Sequence, residues 1–109
     1  TVSLQPVRTL SVTENDLTVK NLNELEFIDG FVYANQWQTN FIVKIDPATG
    51  KVVGRMDLAQ VAEAVYPGNP NADVLNGIAY EPKSKMVLIT GKLWPNMVAL
   101  KFREEPKPQ

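Results

Sequence analysis

The feature that most constrains the fold of this chain is an internal repeat. The two halves align at a spacing of 53 residues, which becomes 55 residues after the first turn of the repeat. The aligned segments are 22–27 (LNELEF) with 75–80 (LNGIAY), 32–34 with 87–89, and 42–45 with 97–100. A four-stranded unit that recurs about every 40–50 residues is typical of a β-propeller blade. The repeat therefore predicts an all-β fold built from propeller blades.

Short segments of alternating side chains, each bounded by turn residues, predict the strands. The expected strands are 23–28, 31–36, 41–46 and 51–57 in the first half, and 76–80, 86–91 and 97–102 in the second. One further strand is expected at 7–13. Strict alternation along 23–28 would place Asn23, Leu25 and Phe27 on one face and Glu24 on the other. Consecutive strands joined by short turns describe antiparallel four-stranded blades.

One segment departs from the strand pattern. Apolar residues recur at helical spacing from Leu58 to Val65, with Asp57 as a plausible N-cap and Gln60 three residues further on. This arrangement predicts one short helix. Its simplest role is to cover a sheet edge. The Pro/Asn/Gly-rich loop that follows, 66–72, could be functional or simply mobile.

The strand count indicates an incomplete propeller. The chain divides into the outer strand of a preceding blade (1–20), a complete blade with the helix and loop (21–74), three strands of the last blade (75–102) and a charged tail (103–109). A propeller needs at least about four blades to close. We therefore expect further blades to pack against this piece, either from the same protein or from another chain.

Composition excludes several kinds of chemistry. The chain has no cysteine and no histidine, so thiolate nucleophiles, histidine-based triads and Cys/His zinc sites are excluded. A net charge of −1 does not indicate a basic surface for nucleic-acid binding. No apolar run approaches the roughly 20 residues of a membrane span. Asp29, Asp46 and Asp73 lie in predicted turns without a metal-ligand grouping, so neither a metal nor a cofactor is expected.

Two repeat positions carry candidate functional residues. Asn23 and Asn76 share a position near the start of the first strand of each repeat, and Trp37 and Lys92 share a position just after the second strand. Asn23 and Asn76 are the same residue type, which fits a structural role as well as a functional one. Trp37 and Lys92 differ, which indicates specialisation at one topological position. Glu24 is a weaker candidate because alternation turns it away from Asn23.

Each candidate also has a plainer interpretation. Asn23 could bind an amide through both its donor and its acceptor, or it could satisfy a local turn. Trp37 could offer an indole N–H and an apolar wall, or it could pack between blades. Lys92 could stabilise an oxyanion as a cation, although lysine is usually a surface residue. The residues alone leave these alternatives open.

Several runs in this order resemble one enzyme family. The runs are 21–26 (NLNELE), 33–37 (YANQW), 45–52 (IDPATGKV), 72–80 (ADVLNGIAY) and 90–95 (TGKLWP). They are similar to the plant and bacterial type of glutaminyl cyclase, or glutaminyl-peptide cyclotransferase. The resemblance extends from about residue 7 to residue 102 and concerns the C-terminal portion of the family. It implies a five-bladed propeller.

The resemblance also implies an activity and a site. The family cyclises an N-terminal glutamine to pyroglutamate and releases ammonia, which makes it an acyltransferase acting on peptides or proteins that begin with glutamine. Its cavity residues carry over to Lys92 as the catalytic residue and to Asn23 and Trp37 as substrate-binding residues, with Glu24 and Asn76 as further candidates. The family's acid/base glutamate lies in an earlier blade, so the isolated chain is expected to be inactive. Export to the periplasm or the cell exterior is expected from the family, with no role for a membrane or nucleic acid.

Two other hypotheses remain at this stage. The chain could be a non-catalytic propeller module that binds a peptide or a partner protein, because a fold does not fix a function. It could also belong to a domain-swapped or two-chain propeller. A carboxylate facing Lys92 in the missing blades would favour the enzyme.

Overall fold

The computed structural model describes residues 5–6, 8–37, 39–65, 75–91 and 97–102. Within these residues the elements are β1 (Thr13–Glu14), β2 (Leu17–Thr18), β3 (Leu22–Ile28), β4 (Phe31–Gln36), β5 (Phe41–Ile45), β6 (Val52–Asp57), α1 (Ala59–Val65), β7 (Leu75–Glu81), β8 (Met86–Gly91) and β9 (Val98–Leu100). The prediction of an all-β chain with one short helix is confirmed. No helix among these residues is long and apolar enough to cross a membrane.

The strands form three antiparallel sheets. The first sheet has the order β3-β4-β5-β6, the second sheet has the order β7-β8-β9, and β1 and β2 form a separate hairpin. The strands of both sheets match the predicted segments to within one or two residues at most ends, although β9 is shorter than expected. The alternating pattern and the short turns are sufficient to specify these sheets because each has one apolar face.

The internal repeat is present in the hydrogen-bond register. In the first sheet Val32 pairs with Ile45, and in the second Val87 pairs with Leu100, which are the positions 55 residues further along the chain. At the other end of the hairpins, Leu22 pairs with Gln36 and Leu75 pairs with Gly91. The two sheets therefore share their pairing register at both ends of the hairpin, as the alignment predicts.

Both sheets carry a β-bulge near the start of the first strand, at adjacent repeat positions. Glu24 is the extra residue between Asn23 and Leu25 in the first sheet, and Asn76 is the extra residue between Leu75 and Gly77 in the second. Glu24 has a φ of +42°, a conformation that L-residues rarely adopt. A Cβ at Gly77 would lie 2.8 Å from Cγ2 of Thr90, so a side chain at this position would require Thr90 to move.

The bulge in β3 corrects the expected faces of that strand. Asn23 pairs with Asn35 whereas Leu25 pairs with Ala34, and neighbouring residues of β4 point to opposite faces. The prediction that Asn23 shares a face with Leu25 and Phe27 is therefore wrong. The extra residue Glu24 breaks the alternation, and Asn23 lies on the face that the first sheet turns toward the second.

The main core lies between the two sheets. Its buried members are Ile28, Ile42, Leu58, Ile78, Val87 and Ile89. A smaller cluster of Ala34, Val43 and Ile45 lies on the opposite face of the first sheet. Because sheets pack through apolar faces, the first sheet has two apolar faces but only one neighbouring sheet in the described chain.

The second apolar face of the first sheet is partly open. Leu25 is 63% exposed, whereas Ile78, at the same repeat position in the second sheet, is 8% exposed. Phe27 is also 63% exposed. Beside these residues runs an apolar groove of about 360 Å³ whose lining includes Leu10 and Val12. We call the surface formed by Leu25, Phe27, Val32 and this groove the open face.

The N-terminal segment differs from its prediction. A strand was expected at 7–13, but residues 8–12 form none and β1 begins at Thr13. The turn at Asn15 and Asp16, with φ of 52° and 66°, folds the chain back at once into β2. The segment is held instead by isolated contacts, including the bond from the N–H of Thr13 to the carbonyl of Gly50, 3.0 Å long. A strand requires a neighbouring strand with a continuous ladder of hydrogen bonds, whereas the turn before β6 accepts isolated hydrogen bonds.

The helix forms where it was expected and its start is capped as predicted. The carboxylate of Asp57 accepts a hydrogen bond of 2.9 Å from the N–H of Ala59. Leu58 is buried in the core between the sheets, and its N–H donates to the carbonyl of Asn40 at 2.8 Å. The helix start is thereby fixed to the end of the first sheet. The loop expected at 66–72 lies outside the described residues.

Candidate functional site

The predicted site residues that the structure describes lie at one end of the two sheets. At this end, which we call the site end, β3 and β7 begin and β4 and β8 finish. Because β3 and β7 are neighbours, the two sheets bring their equivalent positions together there. Asn23 lies near the start of β3, Asn76 lies near the start of β7, and Trp37 follows β4 directly.

Lys92 lies outside the described residues. Its preceding residue, Gly91, finishes β8 and pairs with Leu75. Gln36 occupies the equivalent position, since it finishes β4 and pairs with Leu22. The chain therefore leaves the second sheet toward Lys92 at the same point where it leaves the first sheet toward Trp37. The side chain of Asn76 also lies outside the description.

Asn23 supports the bulge in which it lies. Its side-chain oxygen Oδ1 accepts a hydrogen bond of 3.0 Å from the backbone N–H of Glu24. The side chain is partly buried and faces the second sheet, on the same side as Asn35. The local role that the sequence left open for Asn23 is thus present in the structure. The backbone bond fixes the position of the amide at the site end.

The backbone of Trp37 is fixed by a hydrogen bond, and its side chain is half exposed. Its N–H donates to the carbonyl of Asn21 at 2.6 Å, and Asn21 has a φ of +64°. The Trp37 side chain is 49% exposed, so it is not buried in the core between the two described sheets. The indole is therefore accessible at the site end, where it can form an apolar wall with one N–H donor.

Glu24 has a structural position that the sequence did not predict. It is the extra residue of the bulge and its side chain is exposed. Its positive φ gives this position a conformational requirement that is independent of the carboxylate. The group itself carries no feature that marks it as a reactive acid.

Asn35 is the residue that sequence reasoning missed. Its side chain is 1% exposed, and neither Nδ2 nor Oδ1 has a hydrogen-bond partner in the described part of the chain. It lies opposite Asn23 on one side and Ile42 on the other. The available signal was an asparagine within a strand otherwise rich in apolar residues, since asparagine disfavours strand interiors.

A polar network supports the strand end that precedes Trp37. Arg55 Nη1 donates to Oε1 of Gln36 at 3.0 Å, while its Nη2 and Nε contact the two carboxylate oxygens of Glu14 at 2.7 and 3.3 Å. The hydrogen bond from Arg55 holds the pKa of Glu14 below its ordinary value of 4.5, with a further Coulombic contribution from the same side chain. Arg55 also lies over the ring of Phe41, 4.9 Å from its centroid. The network ties the β1–β2 hairpin to the first sheet.

The described residues contain no group of three Asp or Glu side chains close enough to hold a metal ion. The site end instead offers amide groups and one indole. These groups can orient a polar, uncharged ligand and line its apolar part. Carboxylates near this end include the exposed Glu24 and also Glu14, which is paired with Arg55.

Comparisons with known proteins identify close relatives of the chain. The family model for glutamine cyclotransferase matches residues 2–102. A glutaminyl-peptide cyclotransferase from Arabidopsis thaliana is 36% identical over 104 residues, which is 89% of this chain and 32% of that protein. The crystal structure of a glutaminyl cyclase from Myxococcus xanthus is 44% identical and aligns with a TM-score of 0.73, over 83% of this chain and 39% of that one. The chain therefore spans about a third of the length of these relatives.

Proposed function

Because the chain belongs to the glutamine cyclotransferase family, we propose that it forms part of an enzyme that converts N-terminal glutamine to pyroglutamate and releases ammonia. The observation that carries this proposal is the equivalence of the two sheets at the site end. Asn23 and Trp37 lie there in the first sheet, and Gly91, which precedes Lys92, occupies the matching point of the second. In this proposal, one ligand bound at this end meets residues from both repeats.

The proposed roles follow from the chemistry of the reaction. The neutral α-amine of the substrate attacks its own side-chain carbonyl carbon, and negative charge develops on the carbonyl oxygen. The bond from this carbon to the amide nitrogen then breaks, and the leaving nitrogen takes up the proton that the attacking amine gives up, which releases ammonia. Asn23 would bind the substrate amide and Trp37 would line the glutamine methylenes. Lys92 would stabilise the oxyanion as a cation. Glu24 and Asn76 remain weaker candidates, and the acid/base carboxylate would come from another blade.

The finer proposal for the fold is a five-bladed propeller with two of its blades in this chain. The two sheets stack head to tail, with the face of the second that contains Ile78 buried against the first. The equivalent face of the first sheet is the open face, which contains Leu25. Head-to-tail stacking repeats until a ring closes. This supports a preceding blade over the open face, with residues 1–20 as part of its outer edge and the 75–102 sheet as the last blade.

The test of the proposed function uses the full-length protein. A dipeptide headed by glutamine is incubated with the protein, and ammonia release and pyroglutamate formation are measured. We expect turnover, with a loss of at least about 100-fold in kcat/KM for Lys92→Ala, as for removal of an oxyanion donor. Lys83→Ala, which changes an exposed turn lysine, is the matched control and should retain full activity.

Two results would contradict the proposal. Absence of turnover by a folded full-length protein would favour the non-catalytic binding module. If Lys92→Ala and Trp37→Ala both kept full activity, the proposed enzymatic function would stand, but the assignment of these residues to the site would be wrong. The isolated 109-residue chain should show little or no turnover.

A further inference from the structure

The buried side chain of Asn35 is energetically unfavourable in the structure. Its amide is 1% exposed, and both its donor and its acceptor lack a partner among the described residues. Buried polar groups in folded proteins almost always form hydrogen bonds, because an unmet group loses its bonds to water without replacement. Such a group calls for an explanation, such as an ordered water, an ion or a role at a functional site.

The position of Asn35 limits what can supply the missing partner. The residue pairs with Ile42, a member of the core between the two sheets, so its side chain faces the second sheet. A blade packed on the open face would lie on the opposite side of the first sheet, where Ala34 and Val43 point. Further blades therefore cannot reach the amide across the sheet. Its partner must therefore come from the space between the two sheets or from the site end, as a buried water or a polar group of a ligand.

The site end supplies a ligand with the matching chemistry. Asn35 lies directly opposite Asn23, and side chains at directly opposite positions are separated by about 5 Å between Cβ atoms. Trp37 follows two residues later on the same strand end. In the proposed reaction the substrate's glutamine side chain ends in a carboxamide, which has one acceptor oxygen and a donor NH2 group. An asparagine amide offers the complementary donor and acceptor.

We propose that Asn35 binds the side-chain carboxamide of the substrate's glutamine alongside Asn23 and selects glutamine over glutamate. Nδ2 of Asn35 donates to the carboxamide oxygen, and Oδ1 accepts from the carboxamide NH2. This proposal rests on the proposed function and names a specificity residue within it. Because the amide is shielded from water, each of these bonds is stronger than it would be at the surface.

The proposed contact explains discrimination between two similar side chains. A glutamate carboxylate has no N–H or O–H group to donate, so one of its oxygens would face Oδ1 of Asn35. Two acceptors in contact without a hydrogen leave both groups unmet. Sites that bind a substrate N–H reject analogues that lack it much more strongly than apolar pockets reject a change in size. Asn35 thus gives the site a means of rejecting glutamate that apolar walls do not provide.

Two substitutions of Asn35 in the full-length protein test the proposal. Asn35→Leu removes the amide and keeps the approximate volume, and Asn35→Thr introduces the residue that the second sheet has at the equivalent position, Thr90. For both variants, kcat/KM for a glutamine-headed dipeptide and the binding of a glutamate-headed dipeptide as inhibitor are measured together with Tm. Asn15→Gly, at an exposed turn position whose φ of 52° glycine accepts, is the control and should match the wild type in all three measurements.

We expect kcat/KM to fall by about 100-fold in both variants, as for loss of a donor to a developing oxyanion. The wild type should bind the glutamine dipeptide much more tightly than the glutamate dipeptide, and this difference should disappear in Asn35→Leu. Tm of Asn35→Leu should be unchanged or higher, because the substitution removes an unpaired buried amide.

Three results would overturn the proposal. Activity within threefold of the wild type in either variant would remove Asn35 from the site. A fall in Tm of Asn35→Leu by several degrees would mean that the amide is already hydrogen-bonded in the free protein, for example to a buried water. Unchanged preference for glutamine over glutamate would assign the specificity elsewhere. Each of these results leaves wild-type turnover intact, whereas failure of the proposed function removes that turnover.

Discussion

Arg55 of β6 and Glu14 of β1 form a two-pronged ion pair, with Nη2 2.7 Å from Oε1 and Nε 3.3 Å from Oε2. The same guanidinium donates to Gln36, the residue before Trp37. The pair therefore links the N-terminal hairpin to the strand end that precedes a candidate substrate-binding residue. Its two side chains are 29% and 34% exposed, so solvent screens their interaction.

The first prediction concerns the pH dependence of this ion pair. Arg55 lowers the pKa of Glu14 in the folded protein, so the pair stabilises the fold above the unfolded-state pKa and loses this contribution as the pH falls through the folded-state pKa. Glu14→Gln should lower the free energy of unfolding by about 1 kcal/mol or less at pH 7. The difference from the wild type should vanish in acid. Denaturant unfolding at a series of pH values measures it, with Glu63→Gln in the exposed part of α1 as the control.

The second prediction concerns the open face. If a preceding blade covers it, Leu25→Asp should destabilise the full-length protein by about 1.5–3 kcal/mol or more, the value of burying a leucine, with an added cost for the charge. The same substitution should have little effect on the isolated chain, in which Leu25 is 63% exposed. Leu17→Asp is the matched control, since Leu17 is 73% exposed on the hairpin. Equal, small effects of both substitutions in the full-length protein would contradict a covering blade.

Much of the fold could be predicted from sequence because two patterns, the internal repeat and the alternation of apolar side chains, indicate the same strands. The strands at 31–36 and 86–91 were predicted with their observed bounds, since each has one face in an apolar cluster. The prediction of a strand at 7–13 was wrong because an alternating pattern does not show whether a neighbouring strand is available for pairing. Pairing depends on what lies beside a segment, which a short local pattern does not encode.

The candidate site was less accessible to sequence reasoning. The bulge at Glu24 could not be predicted because glutamate has no preference for positive φ, and one extra residue reverses the face of Asn23. Asn35 was missed because alternation cannot distinguish a buried unpaired amide from an ordinary polar residue of a strand. The repeat alignment nevertheless placed the described candidate residues at one shared end of the two sheets. It did so because equivalent positions in stacked sheets lie side by side.

The third prediction separates the two possible roles of Trp37. In the full-length protein Trp37→Phe keeps an aromatic wall but removes the indole N–H, and Trp37→Ala removes both. If the wall is the main contribution, Trp37→Phe should stay within about fivefold of the wild-type kcat/KM and Trp37→Ala should lose at least about tenfold, chiefly through KM. Steady-state kinetics with a glutamine-headed dipeptide measures the split. Equal losses in both variants would assign the role to the N–H group.

The fourth prediction separates the backbone role of Glu24 from its carboxylate. Because Glu24 has a φ of +42°, glycine should be accepted at this position and a β-branched residue should not. Glu24→Gly should retain both Tm and activity in the full-length protein, while Glu24→Val should lower Tm by several degrees and reduce activity through displacement of Asn23. Thermal unfolding and dipeptide turnover of the two variants test this. A stable Glu24→Gly protein without activity would show instead that the carboxylate takes part in the reaction, and Glu24 would then supply an acid/base group.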